Sequence, residues 1–428
     1  MRRLVVKNFS CIKSATLDLA PLTAIIGPQS SGKSVLLKLT YFFTDFFVNS
    51  VELVKEGLSS QAAKKRVLEN FQEWFPASAW GGDRFSIEFN LGDFKIRLLR
   101  KSSRGQLLDT ASVKFSEDFE AFINEASDLF SEIEAPDTDK STVAEYNSLR
   151  RLGAAAAKVL SASLGENYVA NQIFIPAGRS FFTGPGKALL AFEHGGLIDF
   201  VTAEFGRRYA SARARINRRP IVNNYAESVF QEMLGGKVVL EGGKEYLRAA
   251  DGRVLPFNAL SSGQQEILPL VLILQTLAPF SNIPNGAAVG GPPSRRIMYI
   301  EEPEAHLFPH AQNNLVQLLC ALVRLRTKTQ DLLVTTHSPY VLAKINNMIK
   351  AGAIEKKFGG AVIGKLDEIL KIKCALRPGT VNAYAIIDGI LTDIVDDSGL
   401  IDADYLDEVS GEIGEEFDRL LDIERGHG

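Results

Sequence analysis

Cysteine and histidine are scarce in this chain, with three and five residues among 428. Cys11, Cys320 and Cys374 are odd in number, widely scattered and lack ligand spacing. That excludes a disulfide framework and a cysteine-held metal site, and predicts buried, reduced thiols in a cytoplasmic protein. His306 and His310 are four apart, but Pro309 lies between them and no third ligand is near, which argues against a metal pair. Long hydrophobic runs are missing as well. The longest, Ile267 to Ala278, contains Pro269 and is too short to cross a bilayer, so it predicts a buried helix and no membrane partner. Leu4-Val5-Val6, between Arg3 and Lys7, is too short for a signal peptide. There is no internal repeat and no low-complexity tract.

A dominant charge of one sign is also lacking: the net charge is −3, which excludes bulk attraction to a polyanion. The balance is uneven, however. From Ala385 onward, fourteen acidic residues face only Arg419 and Arg425, a net of −12 that leaves +9 on the rest. A basic body and an acidic C-terminal element are therefore expected. Leu406, Val409, Ile413, Phe417 and Leu420 recur at helical spacing within that element, so its acids read as a solvated helix face.

Residues 4–9 and 15–19 read as paired antiparallel strands, and 22–26 as a short apolar strand. A helix opens at Ser34, with the Phe residues at 42, 43, 46 and 47 on its core side. Residues 85–89 and 94–98 alternate with period two around Gly92-Asp93, a hairpin pattern, and 237–240 with 245–248 repeat it around Gly242-Gly243. Residues 116–164 and 188–234 read as helical, 173–177 as a strand, and 279–296 as a surface loop.

Three distant segments carry the chemistry. Gly27-Pro28-Gln29-Ser30-Ser31-Gly32-Lys33-Ser34 matches the full P-loop pattern. Its glycines let backbone N–H groups close on a β-phosphate, Lys33 reaches the β/γ oxygens, and the Ser34 hydroxyl suits Mg²⁺. Ile297 to Ile300 is a buried-type strand ending in Glu301 and Glu302. One acid can hold the metal shell and the other can polarise the attacking water; Glu301 takes the first role and Glu302 the second. Leu332 to Thr336 is a further buried strand, ending in His337, placed to sense a γ-phosphate. Finally, Ser262-Gly263-Gln264 opens the apolar helix and offers a second anion site, suited to a nucleotide held by another subunit.

These segments, with Val5-Val6-Lys7-Asn8-Phe9, Ile175-Pro176-Ala177-Gly178-Arg179, Pro303 to Pro309 and Ser338-Pro339-Tyr340, resemble the ABC-type ATPases of the SMC/RecF class. More narrowly, they are similar to the OLD-like AAA-type ATPases of DNA transactions and anti-phage defence. The resemblance spans residues 1–345. It implies an α/β fold: an ABC-type P-loop NTPase head with an antiparallel β subdomain, an inserted helical lobe and an acidic C-terminal helix. The corresponding divisions are an N-terminal lobe at 1–185, a helical lobe at 186–235, a C-terminal lobe at 236–345 and an acidic α/β extension at 346–428. It also implies ATP and Mg²⁺ as cofactors, a homodimer or higher homo-oligomer built on an ATP sandwich, and a protein effector, a nuclease or toxin. Ser262 and Gly263 would then act on the other copy's nucleotide, and residues 303–307 would line the interface. Arg179 would be the contact of the Q-loop segment. Relatives commonly carry Asn at the place of Gln29 and Arg at the place of Ser10. OLD proteins proper continue into a TOPRIM nuclease, whose acidic pattern the last 80-odd residues lack.

One further cluster, Arg207, Arg208, Arg213, Arg215, Arg218 and Arg219, could grip nucleic-acid phosphates or an acidic partner, or form a solvated helix face. Two other readings remain open: a self-contained nucleic-acid-processing enzyme, and a scaffold that binds ATP without hydrolysing it.

Overall fold

A computed structural model describes residues 2–50, 59–133, 142–183, 199–215, 224–242, 244–277, 295–324, 330–370, 373–402 and 419. The chain opens with β1 (Arg2–Phe9), β2 (Ile12–Asp18) and β3 (Leu22–Ile26), which runs into the glycine-rich loop. α1 (Lys33–Val48) and α2 (Ser60–Trp74) follow, then the strands β4 (Ser86–Leu91), β5 (Phe94–Ser103) and β6 (Gln106–Phe115). α3 (Glu117–Ile133) and α4 (Thr142–Leu164) lead to β7 (Val169–Ile175). Next come α5 (Phe200–Arg213), α6 (Asn224–Leu234), β8 (Gly236–Glu241), β9 (Lys244–Ala249), β10 (Val254–Pro256) and α7 (Ser262–Gln275). The remaining elements are β11 (Arg295–Glu301), α8 (Pro309–Arg324), β12 (Gln330–Thr336), α9 (Pro339–Phe358), α10 (Ile363–Ile369), β13 (Val381–Ile387) and β14 (Ile390–Asp393).

One 11-stranded sheet carries the fold, in the order β6-β5-β4-β1-β2-β14-β13-β3-β12-β11-β7. The half from β6 to β2 is antiparallel, whereas β13, β3, β12, β11 and β7 run parallel. Parallel strands must be covered on both faces, and β3 and β12 are accordingly buried along their whole length. Side chains alternate between two cores. Leu22, Ala24, Ile26, Met298, Ile300, Leu332 and Val334 face the core built with α7, α8 and α9. Ile25, Ile297, Tyr299, Leu333 and Tyr384 face the other, beneath α1 and α2. The α/β architecture with an antiparallel β subdomain is thus the one expected.

Phe42, Phe43, Phe46 and Phe47 pack into that second core, each within 7 % exposure. Burying a phenylalanine contributes roughly 1.5–3 kcal/mol, so this cluster anchors α1 behind the glycine-rich loop. The two expected hairpins are present as β4–β5 and β8–β9; a third strand, β10, extends the latter into a separate sheet. The helical lobe appears as α5 and α6. Arg295 and Arg296, expected within the loop at 279–296, belong to β11. The boundary expected at 345/346 does not fall between separate sheets: β13 lies beside β3 and pairs with it from Val381↔Leu22 to Ala385↔Ile26. Most of the stretch at 406–420 expected as an acidic helix, residues 279–294 of the expected loop, residues 188–198 of the expected helical stretch, and Arg218 with Arg219 lie outside the described residues. Among the described residues no helix is long and apolar enough to cross a membrane.

Gly352 in α9 closes the packing under β13, because a Cβ there would overlap the carbonyl of Leu376. Leu376 is held in turn by its N–H donating to Met348 O at 2.9 Å. Gly352→Ala is expected to cost about 1–3 kcal/mol, as overpacking does. The urea midpoint measures this, and an unchanged midpoint would contradict it.

Candidate active site

The parallel half of the sheet brings the sequence motifs to one edge. β3 pairs with β12 and β12 with β11, all parallel, so their C-terminal ends emerge side by side. Ile26 is opposite Thr336 and Thr335 opposite Glu301, which sets Gly27, His337 and Glu302 as the next residues out. Ligands in parallel α/β sheets bind in this crevice.

Gly32 is the N-cap of α1 with φ +105° and no side-chain cap, so the first-turn N–H groups remain open to an anion. A side chain at Gly32 would run into Ile12 and come within 3.0 Å of Cys11 Sγ. Lys33 Nζ donates to Gly27 O at 2.8 Å and Pro28 O at 2.6 Å, folded back onto its own loop. Burial lowers the Lys33 pKa, while the charges of Glu302 and Glu304 act in the opposite direction. Ser34 is exposed on the first turn of α1.

Glu301 is 6 % exposed; its Oε2 accepts from Ala177 N at 3.2 Å, and Oε1 has no hydrogen-bond partner. A buried carboxylate oxygen left unpaired is costly unless a cation balances it, so Glu301 and the Ser34 hydroxyl fit a divalent metal. Glu302 adopts the left-handed conformation, φ +42°, and its Oε1 lies 3.3 Å from His337 Nε2. That φ turns the chain out of β11 directly after Glu301, separating the two carboxylates.

Glu304 escaped the sequence reading. It is 7 % exposed, and its Oε1 accepts from Thr336 Oγ1 at 2.6 Å and from His337 N at 2.8 Å. This side chain therefore holds the backbone that presents His337. A third acid two residues after Glu302 was the available signal.

Two expectations need correction. Arg179 is fully buried instead of facing a phosphate. Its Nε donates to Glu266 O at 3.0 Å, Nη1 to Glu301 O at 2.9 Å and Pro176 O at 3.2 Å, and Nη2 to Glu302 O at 3.1 Å. Gln264 likewise contacts its own chain. α7 begins at Ser262, with Ser261 as N-cap in a capping box completed by Gln264. Gln264 Oε1 accepts from Ser261 N at 3.0 Å and Nε2 donates to Leu234 O at 2.8 Å, so its amide holds the helix start. Ser262 remains exposed, and Gly263 packs beside His306 O on the loop after Glu302.

Two glutamates engage three arginines of the cluster. Arg207 and Arg208 pair with Glu204 at 3.0 and 2.9 Å, and Arg213 pairs with Glu245 at 3.1 Å while stacking over Tyr209 and Phe257. Of the four arginines among the described residues, only Arg215 is not held in such an ion pair.

Residues 47–343 match the family AAA_21, described as "AAA domain, putative AbiEii toxin, Type IV TA system". The chain is 50% identical over 110 residues to an OLD nuclease from Thermus scotoductus, covering 26% of this chain and 19% of that protein. It thus spans about a fifth of that relative's length. Superposition relates it to the SMC head domain from Thermotoga maritima, at 12% identity and TM-score 0.34, covering 92% of this chain and 98% of that one. A dimeric ATP-binding cassette bound to ADP and Pi gives 11% identity and TM-score 0.29 over 91% and 98% of the two chains. With more than half of its length matched, and with the glycine-rich loop and paired acids at one sheet edge, the chain belongs to the AAA_21 family of AAA domains.

Proposed function

We propose that this protein binds ATP with Mg²⁺ and hydrolyses it between two copies of the chain. The observation carrying this reading is the convergence of Lys33, Glu302 and His337 at the ends of three adjacent parallel strands, with Glu302 touching His337. Lys33 exchanges its loop carbonyls for β- and γ-phosphate oxygens, and the uncapped first turn of α1 closes on the β-phosphate. Ser34 and Glu301 would hold magnesium, which when bound neutralises charge developing on the transferred phosphoryl group. Glu302 takes a proton from water as the water oxygen bonds to the γ-phosphorus and the bond to the ADP oxygen breaks. His337 holds the Glu302 carboxylate from the side, and Glu304 holds His337.

The reading includes a second copy for two reasons. Ser262 is exposed at the start of α7, where the cap occupies the Gln264 N–H, and Gly263 beside it packs against His306 O on the loop after Glu302, a turn suited to an anion held by another copy. Phe308, on the loop after Glu302, and Tyr340, on the first turn of α9 after His337, are 81 % and 56 % exposed and supply apolar surface for an interface. The family description names a toxin and the relative is a nuclease, which supports an effector of one of those kinds; the resemblance to OLD-like ATPases adds phage defence or DNA repair as the setting.

Light scattering tests the assembly: the mass should double on adding ATP, and a monomer throughout would overturn it. Lys33→Ala should weaken ATP binding about 10- to 100-fold, the loss of a charge-assisted bond worth ~1.5–3 kcal/mol. An unchanged affinity by calorimetry would remove the phosphate-loop assignment.

A further inference from the structure

Arg179 takes no part in the reaction above, yet it is among the largest side chains removed from solvent. Its guanidinium spans three segments far apart in sequence: Pro176 in the turn after β7, Glu301 and Glu302 at the end of β11, and Glu266 on α7. Glu266, 3 % exposed, faces it with Oε1 3.4 Å from Nε, while its Oε2 accepts from Ser180 N at 3.2 Å. Ala177 N completes the frame by donating to Glu301 Oε2. Residues 176–180 are therefore held on one side by the carboxylate suited to the metal and on the other by the first turns of α7.

A charge pair buried this completely adds little net stability over apolar side chains of the same size. What it does supply is register. Arginine presents its donors in one rigid plane, so a shift of the Glu301–Glu302 main chain must move either the guanidinium or Glu266. Glu266 lies one turn after Ser262 and Gly263, and Gly263 also rests against His306 O on the loop after Glu302. The α7 start is thus tied twice to the hydrolytic acids of its own chain.

We propose that the Arg179–Glu266 pair is a positioning device that couples the two nucleotides of the ATP-bound dimer. The state of Glu301 and Glu302 at one nucleotide sets how the same chain offers its Ser262–Gly263 turn to the nucleotide on the second copy. This inference rests on the two-copy reading above.

The test is phosphate release as a function of ATP concentration with the full chain. Three proteins are compared: wild type, the apolar replacement Arg179→Met with Glu266→Leu, and Arg179→Lys, which keeps the charge but loses the fork. Circular dichroism checks folding and an ATP titration checks binding to the monomer. Wild type should show a Hill coefficient approaching about 2, the number of sites, and both variants should fall toward about 1 with unchanged monomer affinity. A folded variant that keeps the wild-type coefficient overturns the coupling alone, as does a dimerising wild type with a coefficient of about 1. If the double variant fails to fold, Arg179→Lys carries the same two outcomes. A wild type that never dimerises with ATP overturns the two-copy reading and the coupling together.

Discussion

Glu302→Gln is expected to lower the maximal rate of phosphate release by about 10²–10⁴-fold, the range for losing a positioned general base. The amide keeps the size of the side chain and can still accept from His337, so the local geometry should hold. Nucleotide affinity should survive, because Lys33 and the open turn of α1 are untouched. The variant should therefore accumulate as an ATP-bound dimer, visible as doubled mass in light scattering with no phosphate released. Release at the wild-type rate would show that another group accepts the proton. His337→Ala should slow the reaction less, since it removes the group that orients Glu302 and leaves the base in place.

The second large effect concerns stability. Arg179→Met by itself leaves Glu266 buried at 3 % exposure without its cation, and frees the carbonyls of Glu301 and Glu302 from their donor. Removing one partner of a buried pair costs about 3–5 kcal/mol. Urea unfolding should show a large drop in midpoint, and adding Glu266→Leu should restore much of it. If the double replacement is no more stable than the single one, charge is not what the site requires.

What was legible in the sequence follows from what contiguity can encode. Phosphate binding by backbone N–H groups needs glycines, a lysine and a hydroxyl at fixed offsets, so residues 27–34 declared themselves. The positions of Glu301, Glu302 and His337 stood out equally, since they follow the apolar stretches at 297–300 and 332–334. The fate of Arg179 was hidden because its partners Glu266, Glu301 and Glu302 are 87 to 123 residues away, and no local pattern distinguishes a phosphate-facing arginine from a strut. Gln264 misled for a different reason. Its partner Ser261 is local, but the same Ser-x-x-Gln pattern serves both a capping box and an anion-binding turn. The place of β13 in the sheet was hidden because Val381–Ile387 pairs with β3, more than three hundred residues earlier in the chain. The arginine cluster shows the limit of charge counting, for Glu204 and Glu245 were as visible as the three arginines they pair with.

Cys11, against which Gly32 is packed, is exposed, while Cys320 and Cys374 are buried. A thiol-reactive fluorophore added to the native protein should therefore attach at a single place beside the glycine-rich loop, with no engineered cysteine. Its emission would follow nucleotide arrival and departure in real time, giving rates for both.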